Sequence, residues 1–393
     1  MYLITNGQIV TENGILKDHE LLIEEDIIKK ICKTGETTIE NGLQVIDAQN
    51  GYISPGFIDI HADYIEHMAA PRPTSLMDFN ISIRETEKIL INNGITTMFH
   101  SLSLIKAEDE YGIKPIRHSE NVKKFIDVID KTHTSKHLIR HRFHARLEID
   151  NFDEIDNLKT YIKENKVHMV SFMDHSPGQG QYRDLEVYRK TLKGYQDLTD
   201  DYIDNLIETK QVKEKMTIDM IKEIAALAIE KNIAVASHDD DCIEKLELVK
   251  SCGTEISEFP ITLEVAKGAC ALGMHIIAGA PNVLLGGSHS GNLSAIEAIT
   301  NNTVDILCSD YYPAALLHAI FILHEKHGQD LGKMFNLVSI NPAKAVKMDH
   351  LIGSIKENKK ADLLIIEKVE DDFPVITSVF VDGQLISKTN YRI

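Results

Sequence analysis

The chain has 393 residues and a formal net charge of −18, from 42 lysines and arginines against 60 aspartates and glutamates. Such a charge excludes nucleic acid and anionic membrane as partners, because most of the surface would repel either. Apolar residues at 43% and charged residues at 26% describe a globular chain, long enough for one large domain with a smaller companion.

The opening MYLITNGQIV has no basic n-region and no apolar h-region, so no signal peptide is expected. Residues 2–10, 20–32 and 43–53 alternate apolar runs with the turn dipeptides Asn6-Gly7, Asn13-Gly14 and Asn50-Gly51. The tail beyond Gly353 repeats the pattern with ADLLIIE, VITSVFV and then Asp382-Gly383 before QLIS. These are hairpin and edge-strand signals. They predict one small β-sandwich composed of residues 1–54 and 346–393, with a larger domain, residues 55–345, inserted between them.

The middle alternates differently. Strand-like runs are ISPGFIDI, GITTMFHS, HRFHARLEI, VHMVSFMD, IAVASH, TEISEF, MHIIAGA and VDILCSD. Helical patterns at 83–93, 153–165, 217–231, 241–251, 262–272 and 313–327 lie between most of them. Alternating buried-type strands and helices make an α/β domain with a parallel sheet, and eight repeats predict a closed (β/α)₈, TIM-like barrel. The polar, helix-prone segment 183–215 falls between two barrel strands and is expected to form a lid. The most apolar stretch, Val265 to Gly287, is broken by Lys267, His275, Pro281 and Asn282, so no membrane span is expected. Five cysteines without a C-x-x-C fit reduced thiols and a cytoplasmic location.

Six ligand-type residues close apolar runs: His61 and Asp63 in PGFIDIHAD, Glu148 in HARLEI, His175 in VSFMDH, His238 in AVASH and Asp310 in DILCSD. A parallel barrel carries its strand ends to one rim, where such folds do chemistry. Residues at i and i+2 on a strand share a side, so His61 and Asp63 are placed to reach one ion. Imidazole with carboxylate suits divalent zinc or manganese, as one or two ions. Glu148 is read as a carboxylate bridging two cations. Asp310 is read as a ligand that also takes a proton from an activated water. The plainer readings are that Glu148 is a solvated strand end, that Asp241 caps the next helix, and that Asp310 caps a helix starting near Pro313.

Together, PGFIDIH, the dispersed strand-end histidines and the final Ser-Asp resemble the amidohydrolase superfamily of metal-dependent hydrolases. HADYIEHMAAPRP, VSFMDHSPGQGQYRD, ASHDDD, SEFPITLEVA, GAPNVLLGGSHSGN and CSDYYPAALL resemble one branch of it along the whole chain. That branch is the α-D-ribose 1-methylphosphonate 5-triphosphate diphosphatases of the carbon–phosphorus lyase pathway. The resemblance implies hydrolysis of a ribose 5-triphosphate to the 5-phosphate and pyrophosphate. It also implies His61, Asp63, Glu148, His175, His238 and Asp310 as metal ligands, with Asp310 the general base. Three departures stand out. Asp63 replaces the second histidine of H-x-H, and no carboxylated lysine is evident, so Glu148 takes the bridging place. The chain-order count puts His175 and His238 on strands four and five, where the superfamily uses five and six; the motifs are here preferred to the count.

A polyphosphate needs further donors. Gly-rich GGSHSGN offers backbone N–H groups with Ser288, His289 and Ser290, and Arg72 and Arg183 are candidate phosphate forks. The expected partner is a small phosphorylated molecule, and the apolar exterior helices are compatible with a homodimer. Two other readings stay open: an amidohydrolase cleaving a C–N bond (a deaminase or cyclic amidase) and a non-catalytic scaffold.

Overall fold

One of the predicted turns forms as its backbone requires. Asp382 and Gly383 both take positive φ, 47° and 72°, the mirror-image turn that matches strand twist. A Cβ on Gly383 would lie 2.0 Å from the Glu25 carbonyl oxygen, so only glycine fits. Asn6-Gly7 does something else: it shifts the register inside a single long strand instead of starting a hairpin.

A computed structural model describes residues 1–39, 42–72, 74–104, 115–195, 198–288 and 291–392. The first strands are β1 (Tyr2–Thr11), β2 (Gly14–Glu24), β3 (Ile27–Lys33), β4 (Gln44–Asp47) and β5 (Tyr52–Pro55). Eight strands follow: β6 (Phe57–Ala62), β7 (Ile95–Leu104), β8 (Arg140–Glu148), β9 (Met169–Met173), β10 (Ala234–His238), β11 (Ile256–Glu258), β12 (His275–Gly279) and β13 (Ile306–Cys308). The chain ends with β14 (Leu363–Lys368), β15 (Pro374–Val381) and β16 (Gln384–Lys388).

Both ends of the chain build one mixed sheet, ordered β16-β15-β14-β5-β1-β2-β3 with β4 beside β1. It curls over its own core: Tyr2 on β1 meets Phe380 on β15 ring to ring at 5.4 Å, three strands away in hydrogen-bonding order. The middle strands run β6 to β13 in sequence order, all parallel. Ala62 bridges Asp310, the Asp310 N–H donates to the His61 carbonyl at 3.2 Å, and the Asp63 N–H donates to the Asp310 carbonyl at 3.0 Å. These contacts close a (β/α)₈ barrel. Helices at Phe79–Asn92, Ser119–Thr132, Ile155–Lys163, Ile218–Glu230, Ile243–Ser251, Leu263–Ala271 and Ala315–His327 pack outside it. Among the described residues no helix is long and apolar enough to cross a membrane.

Period-two alternation sorts the strands. Ile58, Ile60, Met169, Ala234, Ala236, Ile256, Ile277, Ile306 and Cys308 fill the lumen, whereas Phe57, Phe143, Ala145, Leu147, Val170 and Val235 face the helices. Counted along the closed sheet, His175 follows the fourth strand and His238 ends the fifth. The chain-order count therefore stands, and the preference for strands five and six is corrected. Segment 183–215 holds two helices, Leu185–Tyr195 and Asp200–Gln211, joined by Tyr188, Ile203 and Ile207.

One guanidinium ties the barrel to the terminal sheet. Arg140, at the start of β8, pairs with Asp362 and Asp382, and the Asp382 N–H donates to Asp362 Oδ1 at 2.9 Å. Asp362 is only 3% exposed, so removing its partner strands a buried charge. Arg140→Ala is expected to cost about 3 kcal/mol in chemical denaturation, without change in bound metal.

Candidate metal centre

Strand β8 sets the site. With Phe143, Ala145 and Leu147 turned to the helices, His144, Arg146 and Glu148 rise as a ladder on the inner face toward the mouth. The same rule points His238 inward on β10, two residues beyond Ala236, and Glu258 on β11, two beyond Ile256. His61 needs a further device. Between Asp59 and Ala62 the first barrel strand advances three residues while β7 advances two, from Met98 to His100. That bulge re-aims the strand end. Asp59, fully buried, accepts from the Ser309 N–H at 3.2 Å and the His61 N–H at 3.3 Å, pinning the closing strands together. Burial lifts its carboxyl to about 6.

Two tight groups result. In the first, His61, His144 and Glu258 offer ligand atoms within 4.8 Å of one another, all buried. His61 Nδ1 lies 2.8 Å from Glu258 Oε1. Burial, then the Arg146 charge, holds its imidazole well below the usual range, so the ring is neutral and Nδ1 is the donor. Nε2 keeps its lone pair. Glu258 Oε2 accepts from the Ser171 hydroxyl at 2.8 Å, which engages both carboxylate oxygens. In the second group, His175, His238 and Asp239 meet the same 4.8 Å limit. The groups adjoin: the His61 and His238 rings are 5.4 Å apart, and those of His175 and His238 are 5.5 Å apart.

This donor set fits a divalent cation. His238 Nδ1 and Asp239 Oδ2 are buried 3.0 Å apart, yet neither completes a hydrogen bond. Buried ligand-type atoms that the protein leaves unsatisfied are what a cation site presents. Asp239, Phe259 and Asp310 also hold positive φ, at 51°, 53° and 57°, three costly backbones just past the ends of β10, β11 and β13.

The remaining sequence candidates divide. Glu148, 13% exposed, contacts His175. Burial raises its carboxyl, but His175 and then Arg146 outweigh this and leave it below the ordinary range. Asp310 is lifted to about 7, first by burial and then by Asp63. Asp63 lies past the end of β6, with Oδ2 3.7 Å from an Arg117 nitrogen, outside both groups of three. Neither capping alternative forms: Asp241 accepts from the Gly180 N–H at 3.0 Å, and the helix from Ala315 has no side-chain cap. Arg72 and Arg183 are exposed, in the turn closed by Ser75 and on the loop after Gly180–Tyr182. Ser288 lies in the connection from β12 to β13, whose Leu293 N–H donates to Ile261 at 3.0 Å; His289 and Ser290 lie outside the described residues.

The sequence reading missed His144, Arg146 and Glu258, and did not place Asp239 among the ligands. A signal for three of them was present. HARLE alternates polar and apolar residues, and TEISE places Glu258 in phase with Ile256.

The Amidohydrolase family model matches residues 181–386, and the NagA composite domain model matches residues 1–49. Over 388 residues the chain is 31% identical to alpha-D-ribose 1-methylphosphonate 5-triphosphate diphosphatase of Escherichia coli (strain K12), covering 98% of this chain and 100% of that one. It is 26% identical to 5-methylthioadenosine/S-adenosylhomocysteine deaminase of Thermococcus sibiricus, over 96% of this chain and 88% of that one. N-acetylglucosamine-6-phosphate deacetylase from Pasteurella multocida shares the fold, with a TM-score of 0.65 at 13% identity, covering 98% of this chain and 99% of that one.

Proposed function

This chain belongs to the amidohydrolase family, and from that premise we propose that its barrel mouth hydrolyses a phosphoric anhydride with the help of one or two divalent cations, zinc or manganese. The proposed substrate is a ribose 5-triphosphate, α-D-ribose 1-methylphosphonate 5-triphosphate, and the products are the 5-phosphate and pyrophosphate. The observation that carries the hydrolytic reading is the pair of adjoining imidazole–carboxylate groups at one mouth. The choice of substrate rests on near full-length similarity to the diphosphatase.

His61, His175, His238 and Asp239 would hold the cations, with Glu148, Asp63 and Asp310 beside them. A bound divalent cation supplies Lewis acidity, polarising a phosphoryl oxygen and acidifying water. Glu258 holds His61 by its Nδ1, so that the other ring nitrogen keeps its lone pair. Asp310 in its ionised form accepts the proton of the attacking water; the P–O anhydride bond then breaks and pyrophosphate leaves. Arg72, Arg183 and the Ser288 segment would meet the phosphate tail from the rim, under the helices of residues 183–215.

Removing the cation has a pH signature. Asp310 ionises near 3.8 in an unfolded chain and near 7 in the cation-free fold. Ionising it inside the fold is therefore uphill, and the cation-free protein loses stability as pH rises between those values. A cation binds the ionised carboxylate and neutral imidazoles. The gap in melting temperature between metal-loaded and chelated protein should widen from pH 5 to pH 7.5. A constant gap would contradict the placement of Asp310 beside the cation.

The function is tested by ³¹P NMR of the metal-loaded protein against ribose and nucleoside triphosphates, with hydantoins and cytosine-like amides assayed alongside. Release of pyrophosphate supports the proposal. Turnover of the amides alone would replace it with C–N bond hydrolysis.

A further inference from the structure

Arg146 stands in the middle of the ladder on β8, between His144 and Glu148, and is 9% exposed. Its five N–H donors have few protein acceptors. Nη2 donates to His238 Nε2 at 3.2 Å and Nε to Met173 Sδ at 3.2 Å. Neither acceptor is charged in that role, and no carboxylate pairs with this guanidinium among the described residues.

A buried cation without a counter-ion is costly, and proteins keep one where something else brings the negative charge. The carboxylates around it do not form that pair. Glu148 is taken by His175, Glu258 by His61 and Ser171, and Asp239 lies beside His238. The guanidinium is central: its field reaches His61, Glu148, His175 and Asp310. Arg72 and Arg183, by contrast, are exposed at the rim.

We propose that Arg146 recognises the anion at the reacting centre, engaging non-bridging oxygens of a phosphoryl group through its unused N–H fork, and so selects a phosphorylated substrate over a neutral one. The inference rests on the phosphoanhydride reading above and deepens it. A planar guanidinium matches two phosphoryl oxygens at once, whereas a lysine ammonium supplies only a point charge. A cation on His238 Nε2 would require Arg146 to release that nitrogen, which adds the freed Nη2 N–H to the fork. The residue is a specificity group that takes no part in proton transfer.

The test is calorimetric titration of inorganic pyrophosphate into metal-loaded protein, for the parent, Arg146→Lys and Arg146→Met, with metal content and melting temperature measured on each. Loss of a charge-assisted two-point contact should weaken pyrophosphate on the order of 10- to 100-fold in Arg146→Met, with metal content equal to or above the parent's, since a positive charge has left the neighbourhood of the ligands. Arg146→Lys, which keeps charge and fold, should fall between. Three results overturn the proposal: affinity within twofold of the parent, absence of pyrophosphate binding in the parent, or lost affinity together with lost metal. The last would make Arg146 a support for His238 only. A parent that binds pyrophosphate through Arg146 but hydrolyses no triphosphate would defeat the proposed function while leaving this inference standing.

Discussion

Asp310→Asn is expected to lower turnover by roughly a thousandfold, the range of a lost general base, while the cation-free protein becomes no less stable and melts higher at neutral pH. The two effects have opposite signs because one carboxyl causes both. Asp310 is buried against Asp63, with Asp59 and Asp239 adding to the negative field, and these push it to about 7. Asparagine removes the ionisation that the fold resists. It also tolerates the φ of 57° held by Asp310, a left-handed conformation in which Asn is enriched. The backbone contacts that close the barrel, from the Asp310 N–H and to its carbonyl, do not depend on the side chain. Steady-state kinetics and melting curves at pH 5 and 7.5 check the pair. Near-parent turnover would remove Asp310 from the chemistry, and a large drop in melting temperature would make it a structural residue.

Glu258→Gln is the second large effect. Both carboxylate oxygens are engaged, by His61 at 2.8 Å and the Ser171 hydroxyl at 2.8 Å, with His144 Nε2 at 3.6 Å. A glutamine fills the same space and still accepts from His61 through its carbonyl oxygen. Its NH₂ cannot accept from Ser171 and has to donate, so the network reorders. The negative charge that makes the His61 imidazole a better donor to a cation is gone. Groups that orient metal-binding histidines in this way are worth about 10- to 100-fold in metal affinity. The prediction is a loss of that size by competition with a metal indicator, with fold retained by circular dichroism. Unchanged affinity would reduce Glu258 to packing.

What could be read in the sequence follows from what is local. Strand runs closed by His61, Glu148, His238 and Asp310 are visible because polar residues interrupt apolar ones, and their common rim follows from parallel topology alone. The partnership of His61 with Glu258, 197 residues apart, has no local trace. Glu258 terminates a three-residue strand, so its phase rests on Ile256 alone. His144 and Arg146 were hidden differently: a histidine and an arginine in a strand read as solvated until the other face is known to be buried. The bulge at Asp59–Ala62 puts His61 out of phase with the lumen-facing Ile58 and Ile60, so alternation along that strand does not by itself aim it inward. The Asn6-Gly7 dipeptide misled for a related reason, since a left-handed Asn serves a bulge as well as a turn.

Anomalous diffraction from crystals of the metal-loaded protein, recorded above and below the zinc or manganese edge, locates the cations at the barrel mouth or elsewhere. One or two peaks between the imidazoles of His61, His175 and His238, within reach of Asp310, are the predicted result. Peaks confined to other surfaces, or none at that mouth in protein of measured metal content, would contradict it.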